Sequence, residues 1–447
     1  MNTPIADFVR GYDKQNMIRF HMPGHKGKTF LGCERYDITE VAGADSLYEA
    51  NGIIAESEAN ATELFGTGRT LYATEGSSQC IRAMLYLALQ GKQGSKRPFI
   101  LAARNVHKAF VYAAAVLDID VIWLEQEADV RSVCCCLVSP QDLERRLQAL
   151  DEPPAAVYVT SPDYLGYQLN ICKLAEVCHN YGTILAVDNA HGAYLRFLKP
   201  SQHPIDLGAD ICCDSAHKTL PVLTGGAYLH ISKNAPEYFR EYAKHAMALF
   251  GSTSPSYLVL ASLDLCNRSL AEGYEDTLAS TIKEIALLRD ELRLAGWQVE
   301  DTEPLKLTVH MPEGITGIEM AEQLRRHGIE CEYADPEFVV CMATPENAEE
   351  DFGRLAEGFG ENHSRYVAEQ SLVTVAGRRA MSIREAIFSK QEVVSVTDAV
   401  GRICGSPAVS CPPAIPIVVS GELIDETAVQ LFQYYGIETV EVVKESH

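Results

Sequence analysis

The sequence predicts an α/β protein whose main domain is a largely parallel sheet with helices on both faces. Two observations predict it. Between residue 41 and about 250, short apolar runs alternate with helical patterns, the order expected when crossover helices join neighbouring strands. The 447 residues are 47% hydrophobic and 22% charged, the composition of a globular protein too long for one core.

Residues 1–40 carry little periodicity and many Gly, His and Lys, and read as an arm. In the large domain, 41–255, the strand candidates are RPFILAA, IDVIWLE, AAVYVTSP, TILAVDNA and ADICCDS. Helical patterns at Gln79–Leu89 and Ile171–Tyr181 lie between them. A long helical segment, Ser256–Ala295, then leads into a small α+β domain ending near 365. It contains LKLTVHM, a helix from Ile318 to Gly328, ECEYAD, FVVCMAT and a helix through Phe359. ENHSRYVAEQS is a polar linker, and 366–447 form a third, C-terminal α+β unit.

Composition excludes several function classes. A net charge of −23 with no basic block argues against a nucleic-acid partner and weakly favours cationic ligands. The N-terminal MNTPIADFVRGYDKQ has no apolar core or cleavage site, so it is not a secretory signal. The most apolar stretch, Phe110–Leu124, is broken by Asp118 and Asp120 and is too short to span a bilayer, so no membrane partner is expected. The 14 cysteines include no C-x-x-C pair; Cys134–Cys136 and Cys212–Cys213 are consecutive. They read as buried thiols of a reducing cytoplasm, with no metal site assigned.

Four segments carry chemistry. In ADICCDSAHKTLPVLTGG, Ser215, His217 and Lys218 cluster at a strand exit. A desolvated lysine there can form a Schiff base, although the same residue also fits a surface ion pair. In AVDNAHGAY, Asp188 ends an apolar strand; a carboxylate so placed can hold a protonated heteroaromatic nitrogen, and Ala190 leaves room for a flat ring. Alone, it also fits a turn or helix cap. In YATEGSSQCIRAM, Gly76, Ser77 and Ser78 put free N–H groups and two hydroxyls at a helix N-terminus, either a phosphate cradle or a plain cap. No G-K-[ST] follows, so a nucleotide P-loop is not supported. In AARNVHKAF, His107 opens a helix after a strand, placed to lie over a ring or to cap the helix.

Each segment follows a candidate strand, so all can meet at one edge of one sheet. Together they fit pyridoxal 5′-phosphate. Lys218 would be its Schiff-base lysine, Asp188 would hold the pyridine nitrogen, and Ser77 and Ser78 the phosphate. Ser215 and His217 would add phosphate contacts.

On these residues the chain resembles the Orn/Lys/Arg decarboxylase family of fold type I pyridoxal-phosphate enzymes, over nearly its whole length. HMPGHKG (21–27), DITEVAGADSLYEANGII, DNAHGAY, SAHKTLPVLTGGAYLH, STSPSY (252–257), RRAMSIREAIF and CPPAIPIVVSGE carry the resemblance. It implies an aspartate aminotransferase-like large domain with a small α+β domain and a C-terminal decarboxylase-type domain. It also implies decarboxylation of arginine, lysine or ornithine to the amine and CO2, in polyamine synthesis or acid resistance, with the missing N-terminal wing favouring synthesis. His107 would stack on one ring face with Ala190 against the other, and His191 would meet the phenolic oxygen. Thr253, with Ser252, would reach the neighbouring subunit's phosphate, so the active unit would be a homodimer with the site at its interface. His217 would help protonate the carbon that loses CO2. By motif match, Glu422 in SGELIDE would meet the cationic tip of the substrate, with Asp45 and Glu49 behind it.

The chain departs from the family at Ala414, where Gly is usual, at Glu75, where Asn is expected, and at Gly225, where many members carry Gln. It lacks the N-terminal wing of longer members, so decamers are not expected. Two other readings remain open. One is an aminotransferase or lyase of the same fold, with Arg69 or Arg196 clamping the substrate carboxylate. The other is a non-catalytic homologue, which the intact Lys218 and Asp188 argue against.

Overall fold

The five apolar runs fold as strands, and two more join them. Along the chain these are β1 (Arg69–Ala73), β2 (Phe99–Ala102), β3 (Asp120–Trp123), β4 (Val157–Thr160), β5 (Leu185–Asp188), β6 (Ile211–Asp214) and β7 (Ala227–Ile231). The computed structural model describes residues 1–91, 97–124, 132–366, 377–407, 410–411 and 415–445; Ala414 lies outside them. The chain divides into two units, Met1–Gln93 with Ile171–Leu278, and Gly94–Asn170 with Ala279–His447.

In the first unit the strands lie in the order β1–β7–β6–β5. β5 and β6 are parallel, whereas β7 runs antiparallel to both β6 and β1. The segment between β6 and β7 carries one short helix, Ala216–Thr219, and β7 turns back along β6. β1, β5 and β6 therefore point the same way, and their C-terminal ends open on one edge.

The arm begins with a helix, Pro4–Lys14, that the composition of residues 1–40 did not reveal. Its first N–H groups, at Ile5 and Ala6, each donate to Asp264 Oδ2 at 2.9 Å, so its cap comes from a residue remote in sequence. The expected single helix over Ser256–Ala295 is two, Tyr257–Ala271 and Tyr274–Leu294. Between them Gly273 takes φ +87°, the left-handed turn that ends a helix.

In the second unit β2 pairs in parallel with both β3 and β4. A four-stranded antiparallel sheet follows, built from β8 (Gln298–Val299), β9 (Lys306–His310), β10 (Tyr333–Ala334) and β11 (Phe338–Met342). Its apolar core includes Leu292, Trp297, Leu307, Leu324 and Phe359. The C-terminal part adds β12 (Gln391–Ser395), β13 (Ser410–Cys411), β14 (Ile415–Pro416) and β15 (Thr439–Val443), with a core that includes Val418, Ile424, Phe432 and Val442. No described helix is long and apolar enough to cross a membrane.

Candidate active site

In the first unit, the turns after β5 and β6 bring their polar side chains together. Asp188 ends β5, 2% exposed, and its Oδ1 accepts the Ala190 N–H at 3.2 Å. The turn closes with the Gly192 N–H on the Asn189 carbonyl at 2.8 Å. Within that turn His191 is buried, and its Nε2 lies 2.9 Å from Lys218 Nζ. Ser215 follows β6 and heads the short helix Ala216–Thr219, where the Lys218 N–H donates to the Ser215 carbonyl at 3.0 Å. His217 Nδ1 lies 2.9 Å from the Gly226 carbonyl. A carbonyl only accepts, so Nδ1 carries a proton, and in the neutral ring Nε2 is the acceptor.

β1 leads into the helix Gly76–Gln90. Gly76 takes φ +71°, and its N–H donates to the Gly225 carbonyl at 2.7 Å. Space is open around Gly76: an added Cβ would meet nothing within 4 Å. Gly225 is different. Its φ is +97°, and a Cβ would lie 2.7 Å from the Thr74 carbonyl oxygen, which accounts for a glycine where the family resemblance led us to expect glutamine. Ser215 Oγ donates to Ser77 Oγ at 2.9 Å, tying the helix N-terminus to the segment that carries Lys218. Glu75 fixes the backbone of a distant loop, since its carboxylate accepts the Ser252 N–H. Ser252 Oγ in turn accepts the Ser254 N–H at 3.1 Å, and Ser252 and Thr253 are exposed.

His107 and Glu422 belong to the second unit. His107 caps the helix Lys108–Leu117, its Nδ1 accepting the Ala109 N–H at 3.1 Å. Glu422 is 3% exposed, and both of its oxygens are held by Arg104, through Nη1 to Oε1 and Nη2 to Oε2 at 2.6 Å each. Its Oε2 also accepts the Val419 N–H at 2.8 Å, while the guanidinium lies over the Trp123 ring at 5.0 Å. Asp45 is committed as well. It sits at φ +66°, and its carboxylate accepts the N–H groups of Ser46, Asn51, Gly52 and Ile54 at 2.8–3.1 Å. Burial alone would push its carboxyl up, but those donors hold it below the usual range.

Both carboxylates expected at the substrate's cationic tip are thus already engaged within the chain. One carboxylate is neutralised by a guanidinium, and the other caps the helix Ile53–Phe65. Glu49 is exposed and accepts Ser46 Oγ at 2.8 Å. The two proposed clamps are also engaged: Arg69 donates to the Arg240 carbonyl, and Arg196 pairs with Asp206 at 2.7 Å. Arg104 itself was passed over in AARNVHK. Its signal was present, since a cation directly after an apolar strand needs an anion to be buried.

The chain is 29% identical to an arginine decarboxylase of Halalkalibacterium halodurans, over 95% of this chain and 91% of that one. It is 28% identical to an arginine decarboxylase of Bacillus subtilis, with the same coverage of each. Its structure is similar to that of the lysine decarboxylase of Francisella novicida, with a TM-score of 0.81 at 17% identity, covering 99% of this chain and 81% of that one. A more distant likeness is to a serine palmitoyltransferase of Sphingomonas wittichii, with a TM-score of 0.57 at 16% identity, covering 78% and 82%. These likenesses establish the fold type I α/β architecture. The Orn/Lys/Arg decarboxylase major-domain model matches residues 3–311, and the C-terminal-domain model of the same family matches residues 363–442. The chain belongs to the Orn/Lys/Arg decarboxylase family.

Proposed function

We propose that this protein decarboxylates arginine with pyridoxal 5′-phosphate as cofactor, and that it works as a homodimer. The observation that carries the reading is the convergence at one sheet edge of Lys218 against His191, Asp188 in the same turn, and Ser77 joined to Ser215. An amine, a buried carboxylate and a hydroxyl-bearing helix N-terminus with open space at Gly76 form the donor set this cofactor needs. When bound, pyridoxal phosphate supplies the electron sink for the pair left as the Cα–carboxylate bond breaks.

This chain's own residues do the rest. Lys218 would hold the cofactor covalently through its amine. Asp188 would keep the ring nitrogen protonated, and Gly76, Ser77, Ser78 and Ser215 would bind the phosphate. Ala190 would lie against one face of the ring, and His191 would face its phenolic oxygen. His217, with Nδ1 engaged by Gly226, has Nε2 to hold or move a proton at Cα. Orientation of the scissile bond and exclusion of water are the protein's share of the catalysis.

Arginine is favoured among the basic amino acids by the relatives of near-full-length overlap that carry that name. An aminotransferase reading is weakened, because Arg69 and Arg196 are engaged elsewhere. The homodimer is supported by the arm, where Ile18 is 84%, Phe20 94% and Leu31 78% exposed, apolar surface that a second copy would cover. Ser252 and Thr253, both exposed, would then serve the partner's phosphate. The product agmatine would feed polyamine synthesis in the cytoplasm.

The test offers purified protein and pyridoxal phosphate arginine, lysine and ornithine separately. Agmatine and CO2 from arginine alone are expected. A keto acid would overturn the reaction, and cadaverine or putrescine as the main product would overturn the substrate. Sedimentation should give a dimer that dissociates when Phe20 and Ile18 become serine.

A further inference from the structure

Behind the site, at the end of β6, lies a buried cluster that the proposed chemistry does not use. Asp214 is the last residue of β6, and Asp214, His203 and His230 are each 0% exposed. His203 Nε2 and His230 Nε2 both lie 3.1 Å from Asp214 Oδ2. The other oxygen, Oδ1, accepts Asn189 Nδ2 at 2.7 Å.

Two histidines and an aspartate with ligand atoms within 4.8 Å of one another also suggest a metal site. The remaining ring nitrogens decide against it. A histidine bound to a metal through Nε2 carries its proton on Nδ1 and donates it to an acceptor. Here His203 Nδ1 faces the Ile205 N–H, a donor, at 3.4 Å. Nδ1 must accept, so Nε2 bears the hydrogen and gives it to Asp214. His230 Nδ1 lies 2.9 Å from Thr70 Oγ1, which is 2.8 Å from Thr67 Oγ1. Thr70 can accept from Thr67 while donating to His230, an arrangement that leaves the His230 hydrogen on Nε2. The cluster is a carboxylate taking three N–H donors, two from neutral imidazoles. Burial pushes His230 below the usual imidazole range, in keeping with a neutral ring.

Asn189 links this clamp to the site. It is 0% exposed and directly follows Asp188. Its carbonyl accepts the Gly192 N–H, and a Cβ at residue 192 would fall 2.1 Å from Asn189 Oδ1. The amide is thus packed onto the backbone of the turn that carries Asp188, Ala190 and His191.

We infer that Asn189 is a positioning residue: the His203–Asp214–His230 clamp holds its amide, and the amide sets the turn that presents Asp188 to the cofactor and His191 to Lys218. The inference rests on the function proposed above for Lys218 and Asp188. Side-chain misplacement of about 1 Å at a reacting centre costs on the order of 100-fold in rate.

The test uses the holoenzyme with Asn189→Ala, which leaves Asp214 its two imidazole donors. The expected result is a kcat lowered about 10–100-fold with KM within about twofold, and an altered visible band of the bound cofactor. A kcat and visible spectrum equal to wild type would overturn the inference, whatever happens to the melting temperature. If the variant does not fold, nitrogen-15 NMR of the wild type decides. Neutral rings protonated at Nε2 on His203 and His230 are expected; an imidazolium at either, or one equivalent of bound zinc, would overturn the clamp. The parent reading fails separately, if Lys218→Ala keeps the cofactor's visible band.

Discussion

Lys218 in the first unit and Glu422 in the second are held in opposite ways. In the first, Lys218 Nζ lies 2.9 Å from His191 Nε2 and Ser215 Oγ donates to Ser77 Oγ at 2.9 Å, contacts that an incoming ligand can replace. In the second, Glu422 and Arg104 close on each other through two bonds, with a backbone N–H and an indole face completing the pair. A motif presents both sets as chemistry. The difference teaches that an acid in a motif is available to substrate only where no neighbouring charge in its own chain has already neutralised it.

The strongest way to break this comparison is at Lys218. Lys218→Ala should lower arginine decarboxylation by on the order of a thousandfold or more and remove the visible band of bound cofactor, with the circular dichroism unchanged. Retention of wild-type turnover would place the chemistry elsewhere. Next comes the closed pair. Arg104→Ala leaves a carboxylate of 4% side-chain exposure without its cation. It should destabilise the second unit by about 3–5 kcal/mol, read as a lowered urea midpoint. Replacing both partners, as Arg104→Met with Glu422→Leu, should recover most of that loss, because the desolvation cost goes with the charges. A KM for arginine about tenfold higher in the folded double variant would return Glu422 to the substrate.

A third carboxylate sharpens the contrast through pH. Asp163 in the second unit is 3% exposed; its Oδ1 accepts the Gly166 and Tyr167 N–H groups at 2.8 and 2.9 Å. Burial pushes its carboxyl up to about 6, against the pull of Lys306, whose Nζ donates to the Asp163 carbonyl at 2.8 Å. The folded value lies above the ordinary 3.8, so the protonated form is the one that folding favours. Its contribution is complete below about pH 4 and is lost as pH rises through about 6. Wild type should lose on the order of 2 kcal/mol across that window relative to Asp163→Asn, which does not titrate. Parallel urea midpoints from pH 4 to 7 would show that Asp163 is ionised throughout.

Much of this was legible in the sequence because it was local. Five strands announced themselves as apolar runs; Asp188 ended one of them and Lys218 followed another. What stayed hidden depended on remote partners. The helix Pro4–Lys14 is capped by Asp264, and the antiparallel course of β7 shows only in its pairing with β6 and β1. Glu422 looked available because Arg104 is distant in sequence. His203 and His230 carry no motif at all; only the fold brings both imidazoles onto Asp214.

The smallest effect tests how far the open side of the comparison depends on backbone alone. Gly225 and Gly76 join two strand exits through one N–H···O bond of 2.7 Å, with both residues at positive φ. An L-residue in that region costs about 1–2 kcal/mol, and at residue 225 its Cβ would also press on the Thr74 carbonyl at 2.7 Å. Gly225→Ala should therefore displace the Thr74–Gly76 segment that starts the proposed phosphate cradle while leaving Lys218 and Asp188 chemically intact. The expected result is cofactor affinity lowered about tenfold, measured by fluorescence titration, with kcat at saturating cofactor within about threefold of wild type. Unchanged affinity would mean that the cradle does not depend on the Gly76–Gly225 bond. A kcat that falls with the affinity would mean that the same bond also orients Lys218, making the two strand exits one mechanical unit.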